Sequence, residues 1–184
     1  MRVFEMKPDV ETYRWLTAIE ESDFNLLADL AHVSVGDAWR PIAVEWIDDD
    51  LNAGKPKSDY PTLGSTPVLS QRAVDELLDV LVENGELLPL DGDLAEKYYV
   101  YNVTRILDAL DTEKSDAIWF GTGRIMMMKQ YAFHGAQLEG VTIFKVPQLR
   151  VQVFATEPFV KRVESSGLTG FSFREVWRSS SASA

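Results

Sequence analysis

The stretch from Ser70 to Gly85 constrains this chain more than any other. Within it, Ala73, Val74, Leu77, Leu78, Leu81 and Val82 recur at steps of three and four, which places them on one stripe of a helix facing a core. Ser70 stands at the N-cap position, where its hydroxyl can accept an unpaired backbone N–H of the first turn. Gly85 follows as the expected left-handed stop. The spacing thus predicts a helix over residues 70–83, framed by Val68-Leu69 before it and Leu87-Leu88 after it. Pro89 cannot donate to a ladder, so the strand at residues 86–90 reads as a short edge strand.

A second helix is predicted over residues 157–166, with Pro158 tolerated in its first turn, Phe159, Val160 and Val163 on one face, and Gly167 ending it. Its surroundings, Val153-Phe154 before and Phe171 and Phe173 after, repeat the layout of the first. The two units share no strong residue identity, so ordinary use of the same caps explains the likeness without duplication. Segments 2–6, 41–47, 97–107, 124–133, 141–146, 149–154 and 171–177 read as strands. Residues 9–31 have mixed helical spacing and predict one or two short helices, and 51–66 read as a surface loop. The sum is an α+β fold: a single domain over residues 1–178, mainly antiparallel sheet with a few short helices packed on it, and a mobile tail at 179–184. At 184 residues and 46% hydrophobic content, the chain can fill one core.

Composition closes most catalytic routes. There is no cysteine, which removes disulfides, thiol chemistry and thiolate metal sites, and the two histidines, His32 and His134, lie far apart and read as structural. No apolar run approaches a membrane span and the start lacks the pattern of a signal peptide, so a cytoplasmic location is expected. The net charge is −11, and it is uneven: −7 over residues 1–60, −8 over 61–120 and +4 over 121–184. Such a field repels nucleic-acid phosphates and anionic lipid, so neither is expected as a partner, and it attracts basic proteins. An acidic excess also serves solubility by itself.

Individual motifs are weak. Asp48, Asp50, Asn52 and Asp59 have the spacing of a calcium loop, but Ala53 stands where the turn glycine belongs and Lys55 and Lys57 oppose a cation. The Gly121-Thr122-Gly123 pair lacks a dinucleotide fingerprint's third glycine and reads as a turn between strands. Met126-Met127-Met128 reads as strand or core filling before it reads as a soft binding surface. No cofactor, metal or catalytic residue is expected.

Several stretches resemble immunity protein family eleven of bacterial polymorphic toxin systems. They are Ser58-Asp59-Tyr60-Pro61, Pro67-Val68-Leu69-Ser70, Gly85 to Leu90, Tyr98-Tyr99, Asn102-Val103, Leu110-Asp111, Ser115, Ile143-Phe144-Lys145, and the closing Gly167-Leu168-Thr169-Gly170-Phe171-Ser172-Phe173 with Trp177. The resemblance spans residues 58–177, leaving 1–57 less recognisable. It implies an α+β protein without enzymatic activity that binds and neutralises a cognate toxin, through that toxin's C-terminal toxic domain, which in this family is often a nuclease of the histidine-metal type. The shared Gly, Pro and aromatic residues look like fold determinants: Gly167 and Gly170 for positive φ or close approach, and Phe171, Phe173 and Trp177 for the core. An acidic adaptor or scaffold unrelated to toxin defence, or an enzyme built on scattered carboxylates, are the competing readings. For a basic partner, the expected contact residues are Asp48, Asp49, Asp50, Asp91, Asp93 and Glu96, which sit in loops beside strands. The competing anchor is an exposed aromatic such as Trp39 or Trp46.

Overall fold

The computed structural model describes residues 1–30, 34–121 and 125–179. Strand β1 (Arg2–Pro8) lies inside a four-stranded antiparallel sheet in the order β10 (Ile143–Val146), β11 (Leu149–Thr156), β1, β12 (Phe171–Arg178). Six further strands close into a barrel: β2 (Leu16–Ala18), β3 (Ile42–Trp46), β6 (Gly85–Asp91), β7 (Tyr98–Val103), β5 (Thr66–Ser70) and β4 (Thr62–Leu63), in that spatial order. Helix α1 (Asp23–Asp29) contributes Leu27 to the barrel core. Helices α2 (Gln71–Asn84) and α3 (Glu157–Ser166) share one core with the barrel's outward side chains Leu69, Tyr101 and Val103 and with Phe4, Met6 and Val153 of the sheet. The sheet's other face holds Val3, Phe144 and Phe154 against Leu110, Phe133 and Leu138. Among the described residues no helix is long and apolar enough to cross a membrane.

Strand β7 shows how sequence alternation makes this arrangement. Tyr98 and Val100 point into the barrel, whereas Tyr101 and Val103 point at α2 and the sheet. A strand with two apolar faces must be covered on both, and here the lumen covers one and the helices the other. The two strand–helix–strand units are also alike in three dimensions. β5 and β6 flank β7, antiparallel to it on both sides, with α2 as the crossover; β11 and β12 flank β1 in the same way, with α3 as the crossover. The likeness is therefore one of topology, whereas the caps differ: Ser70 caps α2 with its side chain and Thr156 does not cap α3, and Gly85 is extended where Gly167 is left-handed.

Both predicted helices stand within a residue of their expected ends, and the Ser70 hydroxyl accepts the Ala73 N–H at 3.1 Å as an N-cap. Five expectations need correction. Gly85 is extended (φ −175°), not left-handed; a Cβ there would lie 2.4 Å from the Asn102 carbonyl oxygen, so its role is close approach of β6 to β7. Leu78 and Val82 are exposed, because the buried stripe of α2 runs through Ala73, Val74, Leu77, Leu81 and Asn84. The first part of residues 9–31 is not helical: Leu16 enters β2, where pairing with β3 overrides its helical spacing. Residues 58–63 are buried and contain β4 rather than forming a surface loop. Finally, β6 is no edge, since it pairs with β7 on one side and with β3 from Leu90 onward on the other, Pro89 lying just before that second pairing.

Gly167 adopts φ +65° and Gly170 φ +85°, and a Cβ on Gly170 would strike Ser58. Phe171, Phe173 and Trp177 are half-buried at the edge of the cores; Trp177 meets Phe133 edge-on at 5.9 Å, while Phe171 stacks on Tyr60 at 4.3 Å. The expectations for His32, for Thr122 to Arg124 and for the tail beyond Ser179 lie outside the described residues.

The buried Asp59 joins these parts. Its Oδ1 accepts the Ser70 hydroxyl at 2.9 Å. Its Oδ2 accepts from Arg72 at 2.8 Å and from the Thr169 backbone and hydroxyl at 2.9 and 3.0 Å. Arg72 in turn donates to the Ser166 and Gly167 carbonyls at the end of α3. Asp59→Asn removes the charge that Arg72 and Thr169 address and should cost about 2–3 kcal/mol, read as a lower urea midpoint; an unchanged midpoint would contradict this role.

Candidate partner-binding surfaces

Of the six acidic residues singled out from sequence, Asp91 is the last residue of β6 and the other five fall in the two loops that follow β3 and β6, which leave the barrel in the same direction because these strands are parallel neighbours. Asp48 accepts from Arg14 Nη2 at 2.9 Å while staying largely exposed. Asp49 accepts the Asn52 side-chain and backbone N–H groups at 2.8 and 2.9 Å, and those bonds hold its carboxyl below the usual carboxylate range. Asp50 and Asp93 stand exposed in the turns, and Asp91 Oδ1 accepts the Gly92 N–H at 2.8 Å. Glu96 accepts the Tyr98 hydroxyl at 2.9 Å, and Tyr98 meets Trp46 edge-on at 5.4 Å, which ties the second loop to the end of β3. Two cations lie among these acids: Lys57 over the Trp46 ring at 5.2 Å and Lys55 over Trp15 at 5.7 Å. The local field is thus weaker than the run of aspartates suggests.

The calcium spacing does not survive folding. Asp59 is turned inward to Ser70, Arg72 and Thr169, and Asn52 is buried and bonded to Asp49. No group of three or more His, Asp or Glu among the described residues is arranged to hold a metal ion. Trp39 and Trp46 are not the exposed anchors considered from sequence. Trp39 packs at the barrel core and donates Nε1 to the Pro89 carbonyl at 2.9 Å, and Trp46 packs at the same core with its indole nitrogen buried.

The apolar surface lies elsewhere. β8 (Asp116–Trp119) and β9 (Ile125–Gln130) form a two-stranded ribbon that pairs only with itself among the described strands. Its inner residues Ala117, Ile125 and Met128 pack on the sheet's second core. Its outer ones, Ile118, Trp119, Phe120, Met126 and Met127, are each 40–59% exposed, with Ile118 directly opposite Met127. Alternation sends the facing pair Ile118 and Met127 outward, while Trp119, Phe120 and Met126 are exposed at the end of the ribbon, where the register shifts and the strands run into their connection. A monomer rarely leaves so many large apolar side chains together without use. Sequence reading missed the row because Met126 to Met128 reads as strand or core filling; the three do lie in strand β9, but only Met128 of them faces the core. The adjacency of Ile118-Trp119-Phe120 was the available signal.

His134 is half-exposed, and its Nδ1 lies 3.8 Å from Asp111, whose carboxyl is held low by Lys114. His134 stands at the N-cap position of a short 3-10 turn, Gly135–Leu138, with no side-chain hydrogen bond to it.

The model of the immunity protein family Imm11 matches residues 86–178, half of the chain, a span that opens with β6 and closes with β12 and contains the whole exposed ribbon. No curated protein matches the chain. The exposure pattern can be checked without a partner. Limited peroxide treatment, read by peptide mass mapping, should oxidise Met126 and Met127 well before the 4%-exposed Met6; equal rates would contradict the outward row.

Proposed function

Because the chain belongs to the Imm11 immunity protein family, we propose that it neutralises a cognate protein toxin by stoichiometric binding, with the β8–β9 ribbon as its anchor and the acidic barrel end as its steering field. Binding, not catalysis, is the role that membership in an immunity family supports. The observation that carries the reading is the outward row Ile118, Trp119, Phe120, Met126 and Met127 within the matched span. Aromatic and methionine side chains concentrate in the dry centres of protein interfaces, where a few of them supply most of the affinity.

The acids play a different part. A net charge of −11 acts over a Debye length and raises the encounter rate with a basic surface, which suits the interception of a nuclease-type toxin whose substrate is polyanionic. Asp48, Asp49, Asp50, Asp91, Asp93 and Glu96 work through this field and need not lie under the toxin.

Binding kinetics against the cognate toxin's toxic domain separate the two roles. Trp119→Ala/Phe120→Ala should speed dissociation and weaken affinity by about 30-fold, the scale of a hot spot of about 2 kcal/mol. Asp48→Lys/Asp50→Lys and Asp91→Lys/Asp93→Lys should slow association about tenfold at low salt, with little effect on dissociation. Unchanged dissociation in the first variant would remove the ribbon as anchor, and unchanged association in both others would remove the steering role.

A further inference from the structure

Buried carboxylates in this protein have cations beside them: Glu5 has Arg174, Asp23 has Arg40, Asp59 has Arg72 and Asp111 has Lys114. Lys145 is the reverse case. It is 7% exposed, in a chain with 29 acids, yet burial is the cause that lowers its pKa to about 8, and among the described residues no carboxylate stands beside it to offset that burial. Its backbone is clamped on both sides, N–H to the Arg105 carbonyl and C=O from the Leu107 N–H, each at 2.9 Å. Strand alternation puts its side chain on the same face of β10 as Ile143, toward the barrel. There it lines a cleft of about 160 Å³ where barrel and sheet meet. Leu27 and Leu30, Pro67 and Val153 form apolar walls, and Thr66 and Asn102 are further polar lining residues.

We propose that this cleft binds a small monocarboxylate with a short apolar chain, its carboxylate paired with the Lys145 ammonium and its chain laid against Leu27, Leu30, Pro67 and Val153. A buried charge is costly without a partner, and a single anion neutralises a single ammonium. A phosphate dianion would leave excess negative charge in a mostly apolar cleft, so the monoanion is the better fit. An apolar molecule alone would fill the walls and leave the ammonium unpaired. The site lies apart from the ribbon in the fold, and the proposal does not rest on toxin binding.

The test is an amide-shift titration of the isotope-labelled full chain with acetate, butanoate, hexanoate and octanoate, with hexanol and hexylamine as controls. Saturable shifts are expected at Leu27, Thr66, Lys145 and Val153, with affinity rising about fourfold per added methylene until the cleft is full. Hexanol and hexylamine should bind at least about tenfold more weakly than hexanoate, because neither supplies the buried charge partner. Lys145→Met, which keeps the length and loses the charge, should make hexanoate no better than hexanol. Absence of saturable shifts at these amides, shifts confined to other surfaces, or hexanol binding as well as hexanoate would each overturn the proposal. The wild-type comparison of hexanoate with hexanol decides even if the variant fails to fold.

Discussion

The Asp59 carboxylate is where the barrel, the two long helices and the last strand meet. It stands just before β4 and meets the N-cap serine of α2, and through Arg72 it reaches the carbonyls that end α3. Its bonds to Thr169 fix the turn that carries the chain from α3 into β12. Buried polar groups need their hydrogen bonds satisfied, and this one uses both oxygens on groups that belong to different elements. Loss of one partner is therefore felt by all of them. The close approaches around the hub follow from the same packing: Gly170 faces Ser58 with no room for a side chain, and Tyr60 lies flat on Phe171.

Two split strand–helix–strand units are built outward from this point, one completing the barrel around β7 and one completing the sheet around β1. Their helices are bound to each other by Arg162, which addresses both oxygens of Asp79 and the Glu76 carbonyl. The arrangement leaves the far face of the sheet for the segment between β7 and β10, and that is where the ribbon sits.

Local signals carried much of this. The α+β class, both long helices, the N-cap at Ser70 and the left-handed Gly167 follow from short-range chemistry and were legible from residues alone. What failed depended on partners distant in sequence. Leu16 has helical spacing but pairs with Trp46, and Gly85 looks like a helix stop but is shaped by the Asn102 carbonyl. Closure of the barrel, which removes the edge Pro89 seemed to mark, is set by the β3–β6 pairing between residues nearly fifty apart. The candidate surfaces divide in the same way. The acidic loops and the two lysines beside them were visible in the sequence, but the approach of Arg14 to Asp48 and the stacking of the lysines over Trp15 and Trp46 were not. The apolar row stayed hidden because a methionine run fits an interior and a surface equally well until the strand's covered face is known.

The account we propose, capture of a toxin by docking, rests on family membership, an exposed apolar ribbon and an acidic field. The direct measurement is growth of cells expressing the cognate toxin, with and without the chain supplied in trans. The account predicts growth arrest by the toxin alone and restored growth when the chain is co-expressed, in proportion to its amount as stoichiometric capture requires. Persistent arrest with the folded chain present in excess over the toxin would contradict it.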